Sequence, residues 1–395
     1  MSRGQQRRPR RPQPKGESRV GQRFDAEVGP VAHGGHCIVR LPEPESRVVF
    51  TRHAIPGERV VVEITEGTDG DRFWRGDAVE VLEASSDRVA APCPVAGPGL
   101  CGGCDFQHVA VPAQRDLKTA VVREQLVRLA RLDDDDPLVS GLVVEQVPGD
   151  ADGLRWRTRT QFVTNRDGQR GLRKHRSHDV VPVEDCLITI EDAPVPTTRT
   201  VTAAGQTHEF SLADDGFWQV HPGAPTVLVE TILEQLDPQP GESVLDLYAG
   251  VGLFARFLAD RVGEGARIIA VEGDHEATRH AQLNLGGFER ARAAVGSVDK
   301  VLESSYDEPF DLVVLDPPRE GARAAVVRQI ADRAPRAVSY VACDPAALAR
   351  DVKTFAECGY RLQALRAFDL FPMTHHVECV ALFEKTGSDL RRSES

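Results

Sequence analysis

A cysteine stands at the end of an apolar segment, directly before residues that favour the start of a helix. In RAVSYVACDPAALARD (336–351) the apolar run predicts a strand that ends at Cys343. Asp344 and Pro345 are residue types preferred at a helix N-cap and in its first turn. The positive end of the helix dipole favours the thiolate of Cys343, whereas the adjacent Asp344 carboxylate disfavours it. We predict that Cys343 is a nucleophile, with its pKa set by these two opposing effects.

An acid near the end of the chain is the candidate base. In FPMTHHVECVALFEK (371–385), Glu378 lies where a loop rich in His and Pro runs into the last predicted strand. Covalent catalysis by a thiolate needs a base for a later proton transfer, and Glu378 is our candidate, with His375 and His376 as alternatives. Three other cysteines are predicted to be structural: Cys37, Cys358 and Cys379.

A glycine-rich turn predicts a cofactor site. VLDLYAGVGLF (244–254) is an apolar strand followed by a turn with Gly250 and Gly252 and then a helix. Glycines at such a turn let a ligand approach the backbone closely. Glu272, at the end of the next strand, is placed to accept hydrogen bonds from a ribose diol. This segment alone fits a dinucleotide and S-adenosylmethionine (SAM) equally well.

A proline-rich loop after a later strand distinguishes between a dinucleotide site and a SAM site. DLVVLDPPREG (311–321) places Asp316, two prolines and Arg319 directly after a predicted strand. Consecutive prolines make the loop rigid and extended, which suits a wall for a flat base or for the cofactor. A dehydrogenase has no need of this loop, so the sequence favours a methyltransferase.

Four further cysteines have spacings typical of a metal site. Cys93, Cys101 and Cys104 lie close together, with Gly-Gly between the last two, and Cys186 follows about eighty residues later. Four thiolates hold either a tetrahedral zinc or an iron–sulfur cluster. These residues alone favour zinc, and a reactive thiol pair is a third reading. The absence of a predicted secretion signal indicates a reducing compartment, where clustered cysteines bind metals or catalyse.

The elements that position these residues change in type along the chain. Residues 22–84 predict five short strands and a small barrel, and 115–131 predict an amphipathic helix. Residues 155–190 predict short β segments with interleaved basic residues, which suit either RNA contact or a solvated sheet face. From residue 214 strands and helices alternate, which predicts a doubly wound parallel sheet with its ligand at the strand carboxyl ends. Strands are predicted at 243–248, 267–272, 311–316, 337–342, 360–368 and 377–384.

The charge is unevenly distributed. The net charge is −12, but residues 1–23 hold eight Lys or Arg and one Glu, so that segment carries +7 and the remainder −19. We predict a disordered basic tail that contacts phosphates or acts only as a solubilising extension. With 41% apolar and 27% charged residues and no long apolar run, we predict a cytoplasmic globular protein without a membrane span.

Together these segments resemble the RNA (uracil-5-)-methyltransferases, in particular the iron–sulfur-containing branch that acts on 23S rRNA. The resemblance covers nearly everything after the tail. Residues 22–84, with Ala-Ile-Pro-Gly-Glu at 54–58, look like a TRAM barrel, and CGGCDFQH is similar to the family's cluster motif. RWRTRTQF and GLRKHRSHDVVPVEDC match its central RNA-binding region.

The resemblance assigns roles to individual residues. It implies SAM as cofactor, with contacts from Gln219, Tyr248, Glu272 and Asp316, and it implies the nucleophile Cys343 and the base Glu378. It also implies a [4Fe-4S] cluster, with zinc as the alternative; the ligands would be Cys93, Cys101, Cys104 and Cys186. The first cysteine spacing is longer than the family's usual one, and Asp344 and His221 stand where the family commonly has Asn.

The expected architecture follows from the resemblance. It comprises an N-terminal TRAM/OB-like β-barrel, a small α+β central domain with a metal cluster, and a C-terminal α/β Rossmann-like methyltransferase. The boundaries are a tail at 1–21, the barrel at 22–88, the central domain at 89–213 and the methyltransferase at 214–388.

The expected function is methylation of a uridine at C5 in RNA by a monomer without protein partners. The target uridine would be unstacked and flipped into the crevice. We expect 23S rRNA as substrate, with tRNA as the alternative. Two rivals are an amino-group methyltransferase in which Cys343 is merely structural, and a catalytically silent RNA-binding protein.

Overall fold

The computed structural model describes residues 16–191 and 197–387, so most of the predicted tail lies outside the described residues. Within them the chain forms two compact units. The first comprises residues 16–110 and 173–178, and the second comprises the rest.

The secondary structure of the described residues is as follows. The strands are β1 (Arg23–Ala32), β2 (His36–Arg40), β3 (Val48–Arg52), β4 (Arg59–Glu66), β5 (Phe73–Glu83), β6 (Val144–Gln146), β7 (Val163–Thr164), β8 (Arg170–Arg173), β9 (Val180–Pro182), β10 (Thr198–Ala203), β11 (Gln206–Ser211), β12 (Val244–Leu247), β13 (Ile268–Glu272), β14 (Ala291–Val295), β15 (Leu312–Leu315), β16 (Ala337–Ala342), β17 (Tyr360–Asp369) and β18 (Glu378–Lys385). The helices are α1 (Val111–Gln125), α2 (Pro137–Ser140), α3 (Ala224–Leu236), α4 (Leu253–Val262), α5 (His275–Asn284), α6 (Val298–Ser304), α7 (Arg323–Asp332) and α8 (Pro345–Glu357), with a π-helical turn at Leu126–Ala130.

The first unit is built on a closed barrel, as predicted from residues 22–84. Its strand order is β1-β2-β3-β5-β4, and β4 pairs with β1 to close it. Alternate residues of β4, namely Val60, Val62 and Ile64, are fully buried, as the two-residue period of a strand requires. Gly76 of β5 is a close-approach position, because a Cβ there would lie 2.7 Å from the backbone oxygen of Glu63.

A buried carboxylate fixes the turn that precedes β4. Glu58, the last residue of Ala-Ile-Pro-Gly-Glu, is completely buried. Its Oε2 accepts hydrogen bonds from the backbone N–H of Ile55 at 2.8 Å and from the Arg88 guanidinium at 2.7 Å. Paired and hydrogen-bonded in this way, the buried charge is compensated, and it ties the turn to the chain that leaves the barrel.

Residues 16–21, predicted as the end of the disordered tail, contact the barrel instead. The backbone N–H of Arg19 donates to the Gly67 oxygen at 3.0 Å, and that of Gly21 donates to the Ile64 oxygen at 2.8 Å. These bonds extend the antiparallel pairing beyond β1, which explains why this segment is ordered.

The second unit contains a sheet of eight strands among the described residues. Its order is β14-β13-β12-β15-β16-β18-β17-β6. The first five strands run parallel, and β18 is antiparallel to both β16 and β17. The chain order reverses at β12, which has β13 on one side and β15 on the other. Such a reversal opens a crevice at the strand carboxyl ends, where ligands of α/β sheets bind.

Helices cover both faces of this sheet. Strands β12, β15 and β16 are buried at every residue, as expected for parallel strands packed on both sides. On one face lie α1, α6, α7 and α8. On the other lie α3 and α4.

The six strands predicted in this region are all confirmed, with ends that differ by at most one residue. The predicted helix at 115–131 begins earlier, at Val111, and continues into the π-helical turn. Sequence patterning missed β14, the hairpin of β10 and β11, and β6, which joins the far edge of the sheet. These strands are short or polar, so their periodicity is weak.

A buried ion pair links α1 to the end of β17. The Lys118 ammonium lies 2.5 Å from an Asp369 carboxylate oxygen, with the two side chains 0% and 2% exposed. Lys118 also donates to the Phe371 backbone oxygen at 3.1 Å. Gln114, one turn earlier, accepts a hydrogen bond from the Met373 N–H at 2.8 Å. Helix α1 thereby holds the chain that leads into Glu378.

We predict that Lys118→Met lowers the free energy of unfolding by about 3–5 kcal/mol, because it leaves the Asp369 charge buried without its cation. Urea unfolding measures the effect. The double variant Lys118→Met/Asp369→Leu should recover most of the loss. Arg128→Met, which removes an exposed cation paired with Glu124, is the control and should cost less than about 1 kcal/mol. Equal stability of Lys118→Met and Arg128→Met would contradict the assigned role.

Candidate active site

The turn after β12 is held in a conformation that exposes its backbone. Tyr248, Gly250 and Gly252 all have positive φ angles, of 61°, 56° and 83°. A Cβ at Gly250 would have no atom within 4 Å, so open space lies above this backbone. The turn can therefore receive a ligand at the point where the order of the strands reverses.

Glu272, at the end of β13, is fixed against this turn. Its Oε2 accepts from the Gly250 N–H at 2.9 Å, and its Oε1 accepts from the Asp274 N–H at 2.8 Å. Each oxygen keeps a lone pair for a further donor. A carboxylate held in this way can accept hydrogen bonds from a ribose diol, and the contact of Glu272 with a ribose stays a prediction.

Asp316 and Gln219 meet at the next strand end. Asp316 follows β15, and Gln219 Nε2 donates to its Oδ2 at 3.4 Å. Burial raises the pKa of Asp316 to about 7, although the Gln219 hydrogen bond opposes the shift. The structure thus brings together two residues that are nearly one hundred positions apart.

Cys343 and Glu378 come from strands that pair directly. In the antiparallel register of β16 and β18, Ala342 faces Cys379. Cys343 directly follows Ala342 at the end of β16, and Glu378 directly precedes Cys379 at the start of β18. Both residues therefore lie at the same end of this strand pair. Glu378 is 4% exposed, and Cys343 is half-buried.

The cysteine is protonated at neutral pH in this structure. Asp344 caps α8 by accepting a hydrogen bond from the Ala347 N–H at 2.8 Å, as predicted. Burial raises the pKa of Cys343 to about 12, with the negative charges of Glu378 and Asp316 adding to the shift and Arg319 opposing it. The sequence suggested that the helix dipole lowers the pKa of Cys343 and that Asp344 raises it. In the structure the pKa is raised, because burial and several acids act in the same direction as Asp344.

Glu378 also lies where its charged form is disfavoured. Burial raises its pKa well above the usual value, and the nearby Asp316 charge raises it further. Among the described residues, its buried Oε1 has no hydrogen-bond partner. A buried carboxyl group of this kind can hold or accept a proton at neutral pH.

The alternative bases, His375 and His376, contact the proline-rich loop. Arg319 Nη2 lies 3.1 Å from His376 Nε2, and the two imidazole rings lie with centroids 4.1 Å apart. Their half-buried rings therefore pack beside Arg319, whereas Glu378 precedes Cys379, which pairs with Ala342 at the end of β16.

Comparisons with known proteins agree on the class of molecule. A family model described as tRNA (Uracil-5-)-methyltransferase matches residues 301–386, a methyltransferase small domain model matches 225–340, and a TRAM domain model matches 17–79. An uncharacterized RNA methyltransferase of Streptomyces avermitilis is 43% identical over 94% of this chain and 100% of its own length. The chain belongs to the RNA (uracil-5-)-methyltransferase family. It is a class I SAM-dependent RNA methyltransferase.

Further similarities are consistent with membership of the family. An uncharacterized RNA methyltransferase of Streptomyces coelicolor is 43% identical over 94% of this chain and 95% of its own length. The structure of Pyrococcus abyssi tRNA (uracil-54, C5)-methyltransferase in complex with S-adenosyl-L-homocysteine aligns with a TM-score of 0.66. It covers 91% of this chain and 100% of the archaeal one at 19% identity, which shows a shared fold.

The crevice of this methyltransferase fits a cationic cofactor. Its acids are Asp246, Glu272, Asp316 and Glu378, and among the described residues Asp246 Oδ1 and Glu378 Oε1 are buried without a partner. SAM carries a positive sulfonium, a cationic amine and ribose hydroxyls, which complement acceptors of this kind.

Sequence reasoning missed Asp246. This residue lies within β12 and is completely buried, and its Oδ2 accepts from the Ala255 N–H of α4 at 2.9 Å. Burial raises its pKa to about 8. A lone acid within the apolar strand VLDL was the available signal.

Sequence reasoning also missed the anchor of the proline-rich loop. Asp351 of α8 accepts hydrogen bonds from the Tyr340 hydroxyl at 2.7 Å and from the Ala322 N–H at 2.9 Å. Both side chains are buried. The network ties the end of the Asp316–Gly321 loop to the strand and the helix that flank Cys343, so the loop and the cysteine are positioned together.

Part of the predicted RNA-binding patch belongs to the protein core. Trp156 of RWRTRTQF is 1% exposed and stacks on the buried ring of His221, with centroids 6.0 Å apart. His221 Nδ1 accepts from the Gly223 N–H at 3.1 Å, and burial lowers its pKa. The histidine that replaces the family's Asn is therefore a packing residue on the loop after Gln219.

The predicted metal ligands do not form a metal site in the described residues. Across 16–191 and 197–387, no group of three or more His, Cys, Asp or Glu is arranged to hold a metal ion. Cys101 Sγ accepts from the Gly103 N–H at 3.4 Å, and Cys104 Sγ accepts from Gln107 at 3.5 Å. Cys93 lies in the same unit, whereas Cys186 lies in the other. The described residues therefore show no cluster, and the methyl transfer considered below does not depend on one.

The remaining cysteines occupy structural positions. Cys37 is buried in the barrel and donates to the Ala54 oxygen at 3.4 Å. Cys379 is buried and Cys358 ends α8. No helix within the described ranges combines the length and the apolar character needed to cross a bilayer.

We predict that Asp246→Asn weakens the pH dependence of stability between about pH 4 and pH 8 in the absence of SAM. The folded wild type holds a proton that the unfolded chain loses above the ordinary Asp pKa, so the stability of the wild type falls as the pH rises through this window. The carboxyl contributes at most about 1.4 kcal/mol per pH unit, and urea unfolding at several pH values measures it. Asp116→Asn, at an exposed site on α1, is the control. A wild-type pH profile in Asp246→Asn would refute the prediction.

Proposed function

We propose that the enzyme methylates C5 of a uridine in RNA, with Cys343 as the covalent nucleophile and Glu378 as the base. The observation that supports this most directly is the pairing of β16 with β18, which sets both residues at one strand end beside Asp316. A methyltransferase that acts on an amino group does not need a cysteine and a buried proton acceptor at the same strand end.

The chemistry of uracil explains the need for this pair. C5 is a poor nucleophile, but addition of the Cys343 thiolate to C6 moves an electron pair onto C5, which then takes the methyl group. Glu378 removes the proton from C5. The electron pair of that C–H bond re-forms the C5–C6 double bond and expels the Cys343 thiolate.

The protonation states constrain when these steps begin. Burial raises the pKa of both Cys343 and Glu378, so the free enzyme favours the protonated form of each. Each must lose its proton to act, and Arg319 is a cation that favours ionisation of Cys343. We infer that ionisation follows binding of the ligands.

We further propose that Gln219, Tyr248, Glu272 and Asp316 hold SAM. When bound, SAM supplies the electrophilic methyl group and a positive charge that this acidic crevice lacks. Glu272 offers fixed acceptors for ribose hydroxyls, and Asp316, held by Gln219, offers one for a base or an amine. Tyr248 is half-buried beside the glycine turn.

For the RNA, we propose 23S rRNA, because the CGGCDFQH segment is similar to the motif of the branch with that substrate. A tRNA is the alternative, as the archaeal protein of similar fold is described as a tRNA (uracil-54, C5)-methyltransferase. Mass mapping of 5-methyluridine in both RNAs from a deletion strain distinguishes them. Monomeric state and cytoplasmic location remain predictions.

We predict that RNA containing 5-fluorouridine, incubated with SAM and the wild type, forms an adduct that survives denaturing electrophoresis. Fluorine at C5 cannot be removed as a proton, so the Cys343 bond persists. Cys343→Ala should form no adduct. Glu378→Gln should slow turnover by about 10²–10⁴-fold and accumulate an adduct with ordinary uridine RNA.

Cys358→Ala, at the end of α8, is the matched control and should behave as the wild type. If the wild type methylates RNA but forms no adduct, the amino-group alternative replaces the covalent mechanism. If the purified wild type transfers no methyl group and Cys343→Ala leaves the cellular role intact, the protein is a silent RNA-binding factor.

We retain the [4Fe-4S] cluster as a proposal that rests on the cysteine motif alone. Protein purified without oxygen should be brown and contain about four irons per chain, and Cys104→Ser should lose them while Cys358→Ser keeps them. Colourless protein with one zinc would favour the alternative, and protein free of both would reject a metal site.

A further inference from the structure

A pocket of about 290 Å³ lies in the first unit, on the outside of the barrel. Strands β2, β3 and β5 form one side of it, and the 174–177 segment, which returns to this unit from later in the chain, lines it as well. Its principal side chains are His36, Phe50, Arg52, Arg75, Lys174 and His175, and we call it the barrel pocket. Its volume is near the lower end of the range for small-ligand sites, about 300–1,000 Å³.

Aromatic rings form a continuous series from Phe73, which lies beside the barrel pocket, to His175, which lines it. Phe73 and Phe50 have centroids 5.2 Å apart, Phe50 and His36 6.3 Å, and His36 and His175 6.2 Å. Phe73 is 40% exposed, so its ring is accessible to a ligand. Exposed rings next to cations are the elements with which proteins stack unpaired bases.

The charges around the pocket favour a polyanion. Among the described lining residues, four are cationic and two are acidic, although the chain as a whole is negative. Arg52 is offset by a buried ion pair with Asp105 at 3.3 Å. The Arg75 guanidinium lies 5.0 Å from the Phe73 ring centroid and 3.4 Å from a Glu66 carboxylate oxygen. Arg176 contacts the other oxygen of Glu66 at 3.6 Å. Arg75 and Arg176 share one carboxylate, so together with Lys174 they leave a net positive charge at the edge of the ring series.

His36 has an unused polar atom here. Its Nε2 is buried and lacks a hydrogen-bond partner among the described residues. Burial, together with the charge of Arg52, lowers the pKa of His36 to about 4, so the ring is neutral at neutral pH. A neutral imidazole can stack and can also hydrogen-bond the edge of a base.

We propose that the barrel pocket binds one unstacked base of the RNA, a nucleotide other than the uridine that is methylated. The rings would stack on the base, and Arg75, Lys174 and Arg176 would contact the flanking phosphates. A duplex presents no free base face, and a pocket of this volume admits a single nucleotide, so the inference specifies single-stranded RNA. It rests on the proposed action on RNA, and the two are tested separately.

The test is binding of a fluorescein-labelled 12-nucleotide poly(U) RNA, followed by anisotropy in Cys343→Ala protein without SAM. Loss of one stacking contact raises Kd about 5- to 150-fold. We expect this range for Phe73→Leu and for His175→Leu, which keep apolar bulk but remove the ring. Phe73→Tyr should bind within about twofold of the parent, since it restores stacking.

Arg40→Ala is the matched charge control, because Arg40 is exposed on β2 and does not line the pocket. It should change Kd less than Arg75→Ala does. Thermal unfolding of every variant confirms folding. Replacement of single uridines by abasic nucleotides should weaken binding to the parent and leave binding to Phe73→Leu almost unchanged.

Two results would overturn the inference. One is equal affinity of the parent and Phe73→Leu for poly(U), or no binding of poly(U) at all. The other is equal affinity for poly(U) and for inorganic polyphosphate, which would show that charge alone acts. If the variants behave as expected but the wild type forms no 5-methyluridine, the pocket stands and the proposed function fails.

Discussion

The antiparallel pairing of β18 with β16 is the contact on which the site depends. In a wholly parallel sheet, each strand contributes a side chain only where it ends, at the carboxyl edge. Because β18 runs the other way, its first residue, Glu378, lies at the same edge as Cys343, which follows the last residue of β16. The ladder from Ala342–Cys379 to Ala337–Glu384 fixes this relation, and the buried Lys118–Asp369 pair holds the incoming chain.

The electrostatics of the crevice follow from this convergence. Asp246, Asp316 and Glu378 are buried close together, and burial raises the pKa of each. Burial therefore disfavours the charged forms of these acids and of Cys343 in the free enzyme. A cofactor with a sulfonium is complementary to such a site. Burial of these acids lowers the stability of the fold. Such a loss is typical of functional sites.

The two units use different means to place chemical groups. In the second unit, backbone pairing and turns with positive φ set the positions of Glu272, Asp316 and Cys343. In the first, a closed barrel carries side chains on its outer face, and the 174–177 segment adds basic residues to that face. A rigid sheet edge suits bond formation, which depends on alignment. An aromatic and basic surface suits a flexible strand, because stacking tolerates many sequences.

The sequence alone determined the strands and the local caps of the site. Alternating or continuous apolar runs predicted the barrel strands and the six later ones, the glycine turn after β12 and the Asp344 cap of α8. Only the tertiary structure decided that Glu378 pairs beside Cys343, that Asp246 and Trp156 are buried, and that Tyr340 and Asp351 anchor the proline-rich loop. It also decided that the clustered cysteines form no metal site in the described residues, and that His175 joins His36 and Phe50. Periodicity reports whether a residue is buried, but not which distant strand pairs with it, because such pairing depends on contacts between residues far apart in the chain.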